Sequence, residues 1–537
     1  MHSRTHSNLP VLCLALLSAA ASVASAQDGD PLVTRARELE IKAYESKSLG
    51  DFKLAADALD AASAKYPDDM KLHRSAGSIW LERLKDADRA YPHLEAAYKA
   101  DPATPGWGHM LAQAAGQSGR KERQLAVLKE VAQANEYDPW VHLDLGQLLL
   151  DNGRADEARP YFEKAHSLAP REEWVSIGYA RFLNRQSDAA KARQIAEQGV
   201  KDNPQSAAAQ ATLGDIYRSD WDLTLAANAY TQAKAIDPAM KEAEAGLREI
   251  RNARAPRFSS VFYQFEDTDN FYQSGLFNNL TVSLADKLYL LAGGNLRWFE
   301  DEDTGFERLD RYEQSLGLEY RANRWLTFGA AATAFQTEAA DDHYGAALSF
   351  TVKPADRFYA SGFLRLNDPV NDSIFAAAYA FTQDVVGLEA GYQFTDRLGI
   401  NAVVSGADYS DGNRRLYSNV EASYLLLRQA RVRARFQYEI IDYEFISPFY
   451  SSPEFYQILR PLIEAEPQLT RWLWVRARFE VPYVVDDARW GTGVAIGPVI
   501  RLGDRFEFFA SYLRYDIPGE FTRYSGEGFK VGMTYRF

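Results

Sequence analysis

At 537 residues, with a formal net charge of −14 and 13% aromatic side chains, the chain is too long for one ordinary domain and has the composition of a folded protein. The acidic balance excludes a nucleic-acid binder, which needs a basic surface, and it excludes docking on an anionic membrane surface. It does not exclude a chain that spans a membrane.

The N-terminus reads "MHSRTHSN" and then "LPVLCLALLSAAASVASA", ending in Ala24-Ser25-Ala26. A short apolar run before a small-x-small site predicts a secretory signal peptide over 1–26. It is too short and too rich in Ala and Ser for a membrane anchor. Cys13, the one cysteine, lies inside that segment, so a chain cut after Ala26 holds no disulfide, thiol nucleophile or cysteine–zinc site. No later run approaches the ~20 apolar residues of a spanning helix. Any membrane insertion is therefore expected through a β-barrel.

Proline then recurs at Pro170, Pro204 and Pro238, two intervals of 34 residues, the tetratricopeptide period. The unit ending at Pro170 places Leu145-Gly146, Leu149, Gly153, Ala158, Phe162 and Ala165 where that repeat wants them. The unit ending at Pro238 supplies Leu213-Gly214, Tyr217, Ala226, Tyr230 and Ala233. Small residues let paired helices touch, aromatics fill the wedge, and proline ends each second helix. About six repeats and a capping helix, "MKEAEAGLREIRNAR", are predicted over a domain at 27–252, expected to lie in the periplasm. Such arrays offer a concave groove for a protein or an extended ligand, or serve as a spacer.

After Pro256 the period changes from 3.6 to 2, and a barrel domain is expected over 253–537. Short turns such as "ADK" (285–287), "PAD" (354–356) and "GD" (503–504) alternate with longer segments such as "TEAADDH", "YSDGNRR", "VDDA" and "EFISPFYSSP". Seven short and eight long connections imply about sixteen strands with both ends on one side. The predicted fold is thus a helical tetratricopeptide solenoid followed by a transmembrane antiparallel β-barrel.

Within the strands one face is apolar and the other repeatedly charged, which suits a wet lumen with lipid outside. Arg431, Arg433 and Arg435 with Glu439, and Arg476, Arg478 and Glu480, are the candidate lumen rows. They either line a hydrated conduit or pair across the wall and hold it together; the readings are compatible. From Pro256 onward arginines number 25 against three lysines, and arginine's planar fork suits carboxylates, aromatics and sugar rings. Trp472 and Trp474 read as interface girdle. The final alternation Phe529, Val531, Met533, Tyr535 and Phe537 resembles the assembly signal of bacterial outer-membrane barrels, making the assembly machinery and outer-membrane lipid expected partners.

Enzyme signatures are missing: there is no HExxH, no G-x-S-x-G elbow and no phosphate loop. His343 reads as a solvated loop residue, and the clusters "EDED" (300–303) and "DTDN" (267–270) as solvated acidic loops that lack a full Ca²⁺ pattern. Neither catalysis nor a metal or other cofactor is expected.

A signal peptide, a repeat array and a C-terminal barrel together resemble the outer-membrane export porins for cellulose, poly-N-acetylglucosamine and related exopolysaccharides. "PVNDS", Pro369 to Ser373 with Val370 and Asp372, is similar to the P-V-x-D-S stretch of the cellulose-export subunit. "YSSPEFY" is similar to its Y-F-S-P-Q-x-Y stretch at Tyr450, Ser452, Pro453 and Tyr456, departing at Ser451 and Glu454. The resemblance implies passage of an exopolysaccharide to the surface of a Gram-negative cell. The repeats would then dock periplasmic modification or synthase-complex proteins, or guide the polymer. The competing readings are a surface-lipoprotein assembly modulator, which also joins such repeats to a barrel, and a receptor or adhesion barrel. The two family-like stretches fall in the longest loops; the alanine-rich one predicts a short helix capped by Asp372 or Ser373. Both loops are expected either to fold into the barrel mouth as a gate or to stand as ordinary exposed loops. Pro461 is expected to mark a bulge or distorted strand.

Overall fold

A computed structural model of the chain describes residues 29–537 apart from 103, 269–270, 302–305, 356, 372 and 519–522. The expected signal peptide, Asp372, and parts of both acidic clusters lie outside the described residues. The chain divides into two compact units, one up to Phe182 and one from Leu183.

The first unit is built of antiparallel helix pairs. They are Pro31–Ser46 with Leu49–Lys65, Met70–Ser78 (drawn out by a π-turn, Ile79–Arg83) with Ala87–Ala100, and Pro105–Gln117 with Lys121–Ala134. Pro139–Asp151 with Ala155–Leu168 follows, then most of Glu173–Arg185. Pro31 and Pro139 occupy the first helical turn, where a missing N–H costs nothing. Asp30 and Asp138 accept the backbone N–H of Leu32 and Trp140 at the caps. Gly146 is small because Phe162 lies 3.1 Å from where its Cβ would stand. Phe162 in turn stacks on Phe182 with centroids 4.6 Å apart.

The second unit opens with the helices Ala189–Asp202, Ala207–Ser219, Leu223–Ile236 and Lys241–Arg254. Tyr230 is fully buried between Gly214 and Gly246, whose added Cβ atoms would meet its ring at 2.7 and 2.3 Å.

Sixteen antiparallel strands then close into a barrel. The first half holds β1 (Arg257–Asp267), β2 (Phe271–Ala285), β3 (Leu288–Asp301), β4 (Phe306–Asn323), β5 (Leu326–Thr337), β6 (Ala340–Ala355), β7 (Phe358–Pro369) and β8 (Thr382–Gln393). The second half holds β9 (Leu398–Tyr409), β10 (Arg414–Leu427), β11 (Val432–Tyr443) and β12 (Phe455–Ala465). It continues with β13 (Leu473–Glu480, resuming at Tyr483–Val484), β14 (Arg489–Trp490, resuming at Thr492–Leu502), β15 (Phe506–Pro518) and β16 (Arg523–Arg536). β1 pairs with β2 through Arg257↔Thr281 and with β16 through Arg257↔Arg536, so no edge is left open.

Three expectations change. "TEAADDH" is no long loop: β5 runs to Thr337, β6 starts at Ala340, and the ladder continues up to the Thr337↔Ala340 pair. "VDDA" likewise shrinks to a tight turn between Val484 and Arg489. Pro461 sits in regular register opposite Phe436, and the distortion falls on its neighbour. The carbonyl of Pro461 accepts from Val481 N at 3.0 Å, so its missing donor points at β13, which breaks at 481–482. An antiparallel residue directs both backbone groups to one neighbour, and here that neighbour absorbs the defect.

Leu316 and Leu388 stand 59% and 56% exposed on the outer face, with Val420, Phe436, Ile463 and Phe479 alike exposed there. Phe529, Val531, Met533, Tyr535 and Phe537 share one parity; in the β1–β16 ladder Phe529 lies opposite Gln264 and Tyr535 opposite Phe258.

At its base the barrel carries the end of the array. The carboxylate of Asp286, in the β2–β3 turn, accepts the Thr224 N–H at 2.6 Å and an Arg254 Nη2–H at 2.6 Å. Lys287 pairs with Asp222 at 2.8 Å, and Arg321 stacks 4.4 Å from the Trp221 ring. The helix Leu223–Ile236 is thereby capped by a barrel turn, since its own Asp222 makes no side-chain cap bond.

Candidate conduit and barrel mouth

The inner face carries ion pairs both between and within strands. Arg435 lies between Glu421 at 3.4 Å and Glu464 at 2.9 Å. Arg478 holds Glu480 at 2.5 Å, and Glu439 takes the Tyr417 hydroxyl at 3.2 Å with Arg460 at 3.9 Å. Arg433 stands opposite Glu464 in the β11–β12 ladder. Arg431 lies in the turn before β11, at φ 50°, one residue outside the strand row expected of it.

At the lower rim Glu466 collects three guanidinium groups: Arg431 at 2.8 Å, Arg476 at 2.7 Å and Arg501 at 3.1 Å. Arg501 also covers the Trp474 ring at 4.8 Å. Trp474 therefore belongs to the charged inner face and not to an outer girdle, because it shares parity with Arg476 and Arg478. Arg431, Arg435, Glu439, Arg476, Arg478 and Glu480 are thus each ion-paired within the wall.

At one end of the barrel two loops pack against the inner wall. Loop 370–381 carries the short helix Ile374–Ala378, whose cap is Ser373: its Oγ accepts from Ala376 N at 3.0 Å and donates to the Phe449 carbonyl of the other loop. Alanines make this helix narrow enough to lie against the wall. Ile374, Ala377 and Ala378 are buried with Phe299 of β3 and Leu309 of β4. Arg311, fully buried, donates to the Ala377 carbonyl at 3.1 Å and to Asn371 Oδ1, while Gln273 of β2 donates to the Asn371 carbonyl at 3.0 Å. Val370 N bonds Phe381 O at 2.9 Å and closes the base of the loop next to Pro369.

The second loop, 444–454, wedges in beside the first. Phe381 stacks on Phe449 at 5.2 Å, and Tyr450 stacks on Tyr409 at 4.9 Å with planes 12° apart. The buried Tyr450 hydroxyl donates to Asp411 at 2.8 Å. Burial, reinforced by that carboxylate, pushes its titration upward. Ser452 Oγ accepts from Ser447 N at 2.5 Å and turns the chain ahead of Pro453. Tyr456 falls in β12 opposite Ile441, beyond the loop.

His343 is half-buried in β6 and stacked on Phe335 at 4.9 Å, so it is a strand residue and not a solvated loop residue. Arg311 and Asp411, which hold the loops, were not among the residues the sequence singled out, and Asn371 was quoted only as part of the PVNDS stretch. The one signal for Arg311 is parity: Arg311 and Glu313 alternate with Tyr312 and share the inner face with Arg297, which pairs with Glu313 at 2.7 Å.

Tetratricopeptide family models match residues 42–105, 109–173 and 149–216. No curated protein is matched. Among solved structures, the chain is similar to a bacterial polysaccharide outer membrane secretin at 15% identity and a TM-score of 0.46, covering 53% of this chain and 99% of that one. It is also similar to PilF of Pseudomonas aeruginosa (19%, TM-score 0.32, 42% of this chain and 100% of that one). A third is YrrB, described as a tetratricopeptide protein with an unusual peptide-binding site (15%, TM-score 0.29, 36% and 99%).

Proposed function

We propose, from a tetratricopeptide array and a closed sixteen-strand barrel on one chain, that this protein is an outer-membrane porin exporting an exopolysaccharide without acting on it chemically. One observation carries the reading. The barrel's outer face is apolar and exposed while its inner face is polar and ion-paired, the arrangement of a strand wall between lipid and water. In this reading the array lies in the periplasm, docking modification or synthase proteins or guiding the chain. The row Phe529, Val531, Met533, Tyr535 and Phe537 is the signal read by the assembly machinery.

The two mouth loops act as the gate, with Pro369, Val370, Ser373, Tyr450, Ser452 and Pro453 holding the closed form and Tyr456 at its base. Asp372 belongs to the same stretch. Removing 446–452 raises conductance in a planar bilayer; unchanged conductance rejects the gate.

Deleting the gene and measuring surface polysaccharide tests the export reading. Loss of surface polysaccharide supports it. Unchanged polysaccharide with loss of a surface lipoprotein rejects it in favour of lipoprotein assembly.

A further inference from the structure

The mouth loops do not fill the barrel evenly. Their buried clusters lie against Phe299 and Leu309 of β3 and β4, and against Val385, Ala407 and Tyr443 of β8, β9 and β11. The opposite arc, from β12 through β16 to β1 and β2, keeps a cavity of about 870 Å³. Passage beside the loops is therefore off-centre, along that arc.

The lining of the arc has a definite chemistry. The charged residues lining the cavity are Arg460, Arg478 and Lys530 against Glu480, with Glu439 of β11 3.9 Å from Arg460, which leaves an excess of one cation in a chain whose net charge is −14. Tyr263 and Phe277, on the same lining, are stacked with centroids 5.4 Å apart and planes 16° apart. Both lie over Gly275, where any Cβ would stand 2.7 Å from the tyrosine ring and 2.8 Å from the phenylalanine ring. Phe265 and Tyr515 repeat the device, 5.5 Å apart and 6° from parallel, with Phe265 over Gly526. Glycine beneath a ring lets it lie down on the wall, and flat rings suit the apolar faces of pyranose sugars. Guanidinium groups a few strands away suit carboxylates held at the sugar edge.

We infer that this arc is a saccharide track selective for polysaccharides bearing anionic substituents such as carboxylates. Tyr263, Phe277, Phe265 and Tyr515 form its platforms, and Arg460 and Arg478 its anion contacts. The inference rests on the export reading and adds the charge class of the cargo.

The test is calorimetric binding to the full chain in detergent, with galacturonate, cello- and glucosamine oligomers of equal length as probes. Galacturonate oligomers bind about tenfold more tightly than neutral cello-oligomers, and added salt reduces the difference. Glucosamine oligomers bind weakest. The double variant Arg460→Gln/Arg478→Gln weakens galacturonate binding about tenfold and cello-oligomer binding little. Lys530→Gln, which breaks no ion pair among the described residues, shifts galacturonate binding in the same direction by a smaller factor. Heat-modified migration on a gel verifies that each variant is a folded barrel. Equal or tighter binding of the neutral or cationic oligomers overturns the inference, as does undetectable galacturonate binding or an unchanged affinity in the folded variants. The deletion strain judges export separately: anionic binding beside unaltered surface polysaccharide keeps the track and removes the export reading. Neutral-selective binding beside lost polysaccharide does the reverse.

Discussion

Arg311, on the inner face of β4, donates to the backbone carbonyl of Ala377 at 3.1 Å and so ties the barrel wall to the last turn of the mouth helix. The guanidinium is fully buried, and the helix it holds is five residues long. A helix that short has no stability of its own, so its order comes from such contacts.

Replacing Arg311 with Met is expected to release the loop. The buried Ala377 carbonyl loses its donor, at about 1–3 kcal/mol, and the half-buried Asn371 Oδ1 loses its own. Single-channel recordings should show more frequent and larger openings, and cells should become sensitive to large antibiotics. Unaltered recordings from a folded R311M barrel would mean that Arg311 does not hold the loop.

Tyr450 gives the mouth a pH dependence at the alkaline end only. Its hydroxyl titrates above the ordinary tyrosine value, so the packed loop favours the neutral phenol. That contribution is complete below the unfolded value of about 10 and is lost as pH rises through the higher, folded value. Absorbance titration of the phenolate should reveal a late-titrating tyrosine that disappears in Y450F. The same variant should cost the loop about 1 kcal/mol at neutral pH through the lost bond to Asp411.

At the base, Asp286→Asn should loosen the helix Leu223–Ile236. Burial alone would raise the Asp286 titration, but the Thr224 N–H and the Arg254 guanidinium outweigh it and hold the carboxyl below its usual range. A depressed carboxyl adds stability above its unfolded value of about 3.9 and loses it as pH falls through the folded one. Removing the charge should cost about 1 kcal/mol, the worth of a helix cap. Hydrogen exchange should quicken in the first turn of that helix while the β2–β3 ladder stays protected.

Glu466→Gln removes the partner common to Arg431, Arg476 and Arg501. Three cations then share the lower rim with Glu507, which holds only Arg501, at 2.8 Å. The reversal potential in a salt gradient should move toward anion preference; an unmoved potential would show that the rim does not face the ion path.

Gly246→Ala is aimed at the array. Its methyl would fall 2.3 Å from the buried Tyr230 ring, an overpacking that costs roughly 1–3 kcal/mol. The helical circular-dichroism transition should shift to lower temperature while the barrel's gel migration is unchanged.

Much of this architecture is legible in residue order. Spacing of Pro170, Pro204 and Pro238 fixes the helix pairs, since each proline falls where a helix has to stop. Parity fixes which of Arg478 and Phe479 faces inward, and Ser373 is readable as a cap from the alanines after it. Depth along a strand is not readable. Thr337 to Tyr344 looks polar enough for a loop, yet backbone pairing carries the strands on through it, because water beyond a membrane tolerates polar side chains on a sheet as readily as on a loop. Trp474 misleads for a related reason: an aromatic near a strand end suits either face, and only its contact with Arg501 decides. Arg311 stayed hidden because its partners, Asn371 and Ala377, are 60 and 66 residues away in sequence.

The Ser373 hydroxyl belongs to two loops at once, accepting from Ala376 N within its own and donating to the Phe449 carbonyl of the other. Neither segment can swing aside without stripping a bond from its neighbour, and Phe381, lodged against both Phe449 and Tyr450, imposes the same condition. On the proposed gating reading the pair would be a latch fastened at both Ser373 and Phe381. A chain pushing from within would meet a threshold rather than a gradual yield, and traffic through the mouth would come in bursts separated by silence.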